Sequence, residues 1–400
     1  MTKIISRDLY LKKLEPYSGK PVIKVFTGQR RVGKSFMMLQ VMDQIRRDDP
    51  ECNLIYIDKE KHEFDFISDY RQLADYISKI SIKGRNAVFI DEIQEIDQFE
   101  KAIRSFYNRP GFEIYCTGSN AKILSGELAS HLSGRYVELE VHSLSYREFL
   151  DFHNLAPGNE SINIYLKIGG LPNLIHLRLE DDIVFDYLKN IYASILFRDV
   201  IKRHNVRNVS FLENLVLFLS DNTGSIFSAK RISDFLKYQK IMISPNVVLD
   251  YLSHLTASFF VHKVRRFEVT GKKIFKTGEK YYFEDIGLRN SITGFRPTDV
   301  WKNMENAVFS HLRIMGYNVY VGVSGKKEIN FVAEKKGERI YIQVCYLLQD
   351  QTTIDREFGN LLAVKDNYPK IVVSMDELFG KNTYLGIRHM HLREFLMEIE

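Results

Sequence analysis

The chain has 400 residues, 45% hydrophobic and 27% charged, with a net charge of +5. This suits two or three domains with cores of their own, excludes a disordered or fibrous chain, and permits contact with nucleic acid without arguing for it. The isolated cysteines Cys52, Cys116 and Cys345 make neither a disulfide framework nor a metal spacing, no signal-peptide core follows Met1, and no apolar run spans a bilayer, so the expected location is the cytoplasm.

A short basic helix is expected over Asp8 to Leu14, and the apolar run Val22 to Phe26 reads as a strand. It leads into Gly28-Gln-Arg-Arg-Val-Gly33-Lys34-Ser35, and Phe36 to Arg47 reads as a helix. Strand, glycine loop and helix in that order give the GxxxxGK[ST] pattern its meaning. The glycines let the backbone curl until several N–H groups face one anion, and the helix aims its positive end at the same spot. The expected phosphate cradle is Gly28, Gln29, Arg30, Arg31, Val32, Gly33, Lys34, Ser35 and Phe36. Lys34 would reach the terminal phosphates of ATP, and Ser35 would offer its hydroxyl to Mg2+. Two roles are open to Arg30 and Arg31: holding phosphate, or standing in solvent.

Asn53 to Asp58 reads as a second strand, and Ser68 to Ile80 as a helix with Leu73, Tyr76, Ile77 and Ile80 on one face. A third strand, Ala87 to Ile90, ends in Asp91-Glu92. Ligands of open α/β sheets lie beyond the C-terminal strand ends. Asp91 is therefore expected to hold Mg2+ through water, and Glu92 to polarise the attacking water. After a helix over Phe99 to Tyr107, the strand from Phe112 ends in Thr117-Gly118-Ser119-Asn120. Ser119 and Asn120 share the expectation of sensing the γ-phosphate or orienting the water. Asn120 could instead cap a helix from Ala121 to Leu128. The stretch His131-Leu-Ser-Gly134-Arg135 precedes the alternating strand Val137 to Val141. Arg135 is a candidate arginine finger, a sensor within its own chain, or a turn arginine in solvent.

These motifs, with Asp91-Glu-Ile-Gln94, Ser133-Gly-Arg135 and Ser143-Leu-Ser-Tyr-Arg-Glu-Phe149, resemble those of a family of prokaryotic AAA-type ATPases with a C-terminal domain of unassigned function. The resemblance runs over nearly the whole chain and is similar to that of archaeal-type ATPases with an appended winged helix and nuclease-like domain. The phosphate loop and Asp-Glu pair belong to all such NTPases; the Gly-Arg and Leu-Ser-Tyr-Arg-Glu-Phe motifs are narrower. The resemblance implies an α/β fold with a three-layer parallel sheet of P-loop NTPase type over residues 1–150. It implies a helical lid over 151–208, a winged helix over 209–292 and a small α/β domain like a restriction nuclease over 300–400. It further implies ATP hydrolysis with Mg2+ driving a conformational switch, and an oligomer if Arg135 acts on a neighbouring chain.

Gly169-Gly170-Leu-Pro172 breaks the helical stretch that follows, and a helix from Asp182 to Arg203 contains Arg198-Asp199, a phosphate sensor or a local salt link. Helices over Phe211 to Asp221, Ser228 to Lys237 and Pro245 to Thr256 precede two alternating strands, Phe259 to Phe267 and Lys280 to Glu284. Three helices and a hairpin make a winged helix. Its third helix carries no arginine cluster, whereas the hairpin carries Lys263, Arg265, Arg266, Lys272, Lys273 and Lys276. Those cations could meet DNA phosphates, or could be solvated while the domain packs on protein.

Past a linker at Thr293 to Pro297, a helix holding Glu305, three strands, a helix over Ile354 to Val364 and a strand over Ile371 to Ser374 resemble the PD-(D/E)xK nuclease core. Glu305 matches its helix carboxylate, but Asn330, Gln343 and Cys345 stand where that family has Asp, Glu and Lys. Amides offer no charge to a hard cation. The expectation is a domain without nuclease activity, kept as a structural, nucleic-acid-binding or protein-docking remnant.

Overall fold

A computed structural model of the chain describes residues 5–121, 132, 134–238, 241–271, 273–275, 278–325, 327–377 and 383–398. The chain divides into two compact units, one running to His142 with Ala257–Phe259 added, the other holding Ser143–Thr256 and everything from Phe260. The first unit thus ends before the expected boundary at 150. Ser145 closes a capping box with Glu148 and starts the helix Tyr146–His153 in the second unit.

In the first unit, strands β1 (Ile23–Thr27), β2 (Asn53–Asp58), β3 (Asn86–Asp91), β4 (Phe112–Gly118) and β5 (Tyr136–Glu140) form one sheet in the order β2-β3-β4-β1-β5. Every pairing is parallel. All residues of β1 and β3 are buried, which is why they read as continuous apolar runs rather than as alternation. Helices α1 (Asp8–Leu14), α2 (Lys34–Asp48), α3 (Tyr70–Ile80) and α4 (Phe99–Tyr107) flank the sheet. Leu73 and Ile77 of α3 and Ile103 and Phe106 of α4 share one core with Ile23, Ile55, Val88 and Ile114 from the strands. Asp69 and Gln72 close a capping box at the start of α3. This is the helix-flanked parallel sheet expected of a P-loop NTPase.

Register decides where the chemistry goes. Asp58 of β2 lies opposite Asp91 of β3, Ile90 opposite Cys116 of β4, and Thr27 of β1 opposite Gly118. The phosphate loop, Asp91-Glu92 and Ser119-Asn120 therefore leave the sheet at one edge.

In the second unit, the expected helix over Asp182 to Arg203 is an α-helix, Asp181–Ser194, running into a π-helix, Ile195–Lys202. Asp199 pairs with Arg203 at 3.3 Å and not with its neighbour Arg198, because adjacent helical residues point apart. Three helices follow at Val209–Asp221, Ala229–Tyr238 and Pro245–Ala257. The expected long hairpin after them is divided at Arg265. Strand β6 (Val261–Val264) pairs antiparallel with β9 (Lys280–Phe283). Strand β7 (Arg266–Glu268), hairpinned to β8 (Lys273–Ile274), instead joins β10 (Asn318–Ser324) in parallel. The β7-β8 hairpin is thereby one edge of an eight-stranded sheet continued by β11 (Lys327–Lys335), β12 (Glu338–Val344), β13 (Lys370–Ser374), β15 (Ile387–His391) and β14 (Thr383–Tyr384). Phe267 and Val269 anchor that edge in a core with Ile329, Tyr341 and Phe358. Among the described residues no helix is long and apolar enough to cross a membrane.

Candidate functional site

The loop between β1 and α2 turns through backbone that few residues adopt. Gly28 has φ +139° and Gly33 φ +98°. A Cβ on Gly28 would lie 2.2 Å from the carbonyl oxygen of Val141, so only glycine lets the loop lie this close to the chain after β5. Val32 is fully buried, and Arg7 braces the loop by donating to the carbonyls of Val32 and His142 at 3.0 and 2.9 Å. Lys34 Nζ donates to the carbonyl oxygens of Gly28 and Gln29, both at 3.0 Å. The Gln29 amide is fully buried and makes no hydrogen bond among the described residues. A polar group in that state costs about 1–3 kcal/mol until a partner reaches it. Arg30 is buried with Nη1 2.5 Å from Glu60 Oε1, whereas Arg31 is exposed at the loop tip with φ +72°. Phe36 shows 47% of its surface to solvent. Its side chain lies outside the cradle, leaving the backbone of the first helical turn as its contribution.

Two buried carboxylates face this loop. Asp91 accepts from Thr117 Oγ1, from Tyr56 OH at 3.2 Å and from the Ser35 hydroxyl. Burial pushes its carboxyl above the usual value, the Ser35 and Thr117 hydrogen bonds opposing and the Glu92 charge adding. Glu92 sits at φ +52° just past β3, its N–H donating to Thr117 Oγ1 at 2.9 Å. Its Oε2 accepts from Ser119 Oγ at 3.0 Å and from Gln94 Nε2, and its Oε1 lies 3.8 Å from Lys34 Nζ. Burial alone would raise this carboxyl, but Lys34 and Arg30, aided by Gln94 and Ser119, hold it below the ordinary carboxylate value. Glu92 therefore stays ionised at neutral pH. Magnesium, which this fold implies, fits the donors present. A buried carboxylate at Asp91 and a hydroxyl at Ser35 are hard oxygen ligands already in contact.

The other expected residues divide. Ser119 donates to Glu92, and Asn120 lies buried at the same strand end. The helix expected from Ala121, and His131 and Ser133 of the Gly-Arg motif, fall outside the described residues. Arg135 lies at the far edge of the sheet. Its carbonyl accepts from Ile23 N at the start of β1, and its guanidinium stacks 5.5 Å from the Tyr107 ring. The length of β1, roughly 15 Å, separates it from the phosphate loop. This placement does not bring Arg135 to the phosphate loop of its own chain. Tyr56 and Thr117 are the site residues whose roles the sequence did not reveal, since neutral hydroxyls inside strands carry no distinguishing signal.

A family model described as an AAA domain matches residues 20–150, and one described as a domain of unknown function matches residues 159–299. An uncharacterised protein of Haemophilus influenzae is 32% identical over 402 residues, covering 99% of each chain. The chain belongs to the AAA-type P-loop ATPases. An uncharacterised protein of Methanocaldococcus jannaschii is 31% identical over 415 residues, 97% of this chain and 89% of its own. A Walker-type ATPase of Pyrococcus abyssi shares the fold at a TM-score of 0.52 and 14% identity, over 73% of this chain and 96% of that one.

The C-terminal region of this ATPase keeps a carboxylate site filled from within. Glu305 Oε1 accepts from Lys280 Nζ at 2.8 Å and Tyr282 OH at 2.6 Å, and Lys280 also reaches Glu328 at 2.7 Å. Burial pulls the Lys280 ammonium down, but the two glutamates outweigh it and hold it charged. Asn330 Oδ1 accepts from Val344 N at 3.0 Å, and Gln343 Nε2 donates to Glu357 at 2.7 Å. Both amides thus tie β11, β12 and the helix Gln351–Leu362 together. Of the cations expected on a basic hairpin, Lys263 pairs with Glu279 at 2.8 Å and Arg266 stacks 4.7 Å from Phe275, while Lys272 and Lys276 lie outside the described residues.

Proposed function

We propose that the first unit binds ATP with Mg2+ and hydrolyses it, and that the nucleotide state switches the conformation of the chain. The loop amides from Gln29 to Ser35 and the Lys34 ammonium would hold the β- and γ-phosphates. Ser35 and Asp91 would hold the metal, which supplies charge neutralisation when bound. Glu92, kept ionised and fixed by Ser119 and Gln94, would orient the attacking water and receive its proton. The observation that carries this reading is one buried carboxylate clamped by two side chains and set 3.8 Å from the loop lysine. Steady-state ATP hydrolysis by the full chain tests it. Lys34→Ala should abolish turnover, and turnover at the wild-type rate in that variant would refute the assignment.

Residues 151–208 are proposed as a helical lid, 209–292 as a winged helix and 300–400 as a nuclease-like domain without catalysis. The internal lysine on Glu305 supports the last of these. Arg135, remote from its own loop, is proposed to reach the nucleotide of a neighbouring chain in an oligomer. A cytoplasmic location and a protein partner at the C-terminal domain complete the proposal. The pairing of Lys263 and Arg266 within the wing favours that docking role over DNA contact.

A further inference from the structure

Among the described residues, the site as set out so far has no cation assigned to the charge that develops on the transferred phosphoryl group beyond Lys34 and magnesium. Arg135 is at the wrong edge of the sheet, Arg31 is exposed at the loop tip, and Arg7 is engaged by two backbone carbonyls. Arg30 differs from all three. It belongs to the phosphate loop itself, its side chain is 8% exposed, and its guanidinium rests on Glu60 at 2.5 Å. Glu60 follows β2 two residues past Asp58, which pairs in register with Asp91, so this contact is made at the catalytic edge. The carboxylate of Glu60 is 48% exposed, and an ion pair open to water on one side is held weakly.

We propose that Arg30 is an arginine that stabilises phosphoryl transfer on the nucleotide of its own chain, beside any that a neighbouring chain supplies, with Glu60 as a resting partner. The inference rests on the hydrolysis proposed above. In that reaction the water oxygen bonds to the γ-phosphorus while the bond to the β–γ bridging oxygen breaks. The electron pair of the broken bond stays on that oxygen, which becomes a terminal oxygen of ADP. The proton of water passes by way of Glu92 to inorganic phosphate. Negative charge grows on the bridging and γ oxygens, and a planar guanidinium can donate to two such oxygens at once. The step requires that Arg30 leave Glu60 for the phosphate, by rotation of a side chain already in the loop.

The test uses the full chain with Arg30→Ala, Arg30→Lys and Glu60→Gln. Readouts are kcat, ATP affinity and retention of ADP with aluminium fluoride, a mimic of the transferring group. Arg30→Ala should keep ATP affinity within about threefold while kcat falls about 10³-fold and the aluminium fluoride complex is lost. Arg30→Lys should not restore kcat, because an ammonium cannot donate in two fixed directions. Glu60→Gln should raise kcat at least about twofold by releasing the guanidinium, in line with the modest strength of an exposed pair. Arg30→Ala turning over within about threefold of wild type would overturn the proposal. So would a fall of kcat in Glu60→Gln as steep as the one expected of Arg30→Ala, which marks a brace of the loop and stays readable if Arg30→Ala fails to fold. Lys34→Ala separates the two levels. If it is inactive while Arg30→Ala is normal, only the Arg30 assignment falls; if both are fully active, the hydrolysis site itself is wrong.

Discussion

Glu92 carries the heaviest demand of any single residue, because it must be buried and charged together. Its partners come from three elements: Ser119 past β4, Gln94 in the turn past β3, and Lys34 at the start of α2. Glu92→Gln keeps the shape and removes the charge. The variant should still bind ATP, with hydrolysis slowed by about 10²–10⁴, the range for losing a general base. Equilibrium binding and single-turnover hydrolysis measured on one preparation check it. Asp91 and Glu92 were legible in the sequence because two acids end an apolar run downstream of a phosphate loop. Thr117, which bonds to both, was not. A threonine in a strand has a dozen ordinary explanations, and only register places it beside the acids.

At the scale of elements, the parallel sheet is held at its other edge by charge. Lys24 of β1 is fully buried, and its Nζ meets Glu113 of β4 at 2.8 Å. Glu113 also accepts from Tyr115 at 2.6 Å and from Arg85 at 2.7 Å. Burial opposes the charge, but these hydrogen bonds outweigh it and bring the Glu113 carboxyl from 4.5 down to about 2. Its folded value is thus below its unfolded one. The stabilisation is present above about pH 4.5 and is lost as pH falls towards 2. Glu113→Gln should therefore cost about 3–5 kcal/mol at pH 7, since it leaves Lys24 buried without its counter-charge. The gap to wild type should narrow steadily below pH 4.5. Urea denaturation as a function of pH measures both. The strands of this sheet were readable from their apolar runs. The break at Arg265 was not, because no turn residue separates β6 from β7 and it is the distant β10 that draws the second into another sheet.

Across the whole molecule, the sequence announced one site and led to the expectation that a second is without catalysis. Where a metal would need free carboxylates, Glu305 and Glu328 share the ammonium of Lys280. The purified chain should leave supercoiled plasmid DNA intact with Mg2+ or Mn2+ present. Cleavage that disappears in Glu305→Ala would contradict this. The substitutions at Asn330 and Gln343 were visible in the sequence, but Lys280 was not connected to them, being 25 residues upstream of Glu305 and outside any motif.

The most direct measurement is a crystal structure of the Glu92→Gln chain with ATP and magnesium. The account predicts the β- and γ-phosphates against the backbone N–H groups from Gln29 to Ser35. Lys34 Nζ should have left the carbonyls of Gly28 and Gln29 for the γ-phosphate, with the metal between Ser35 and the Asp91 side. Nucleotide bound elsewhere, with Lys34 still folded onto its own loop, would contradict it.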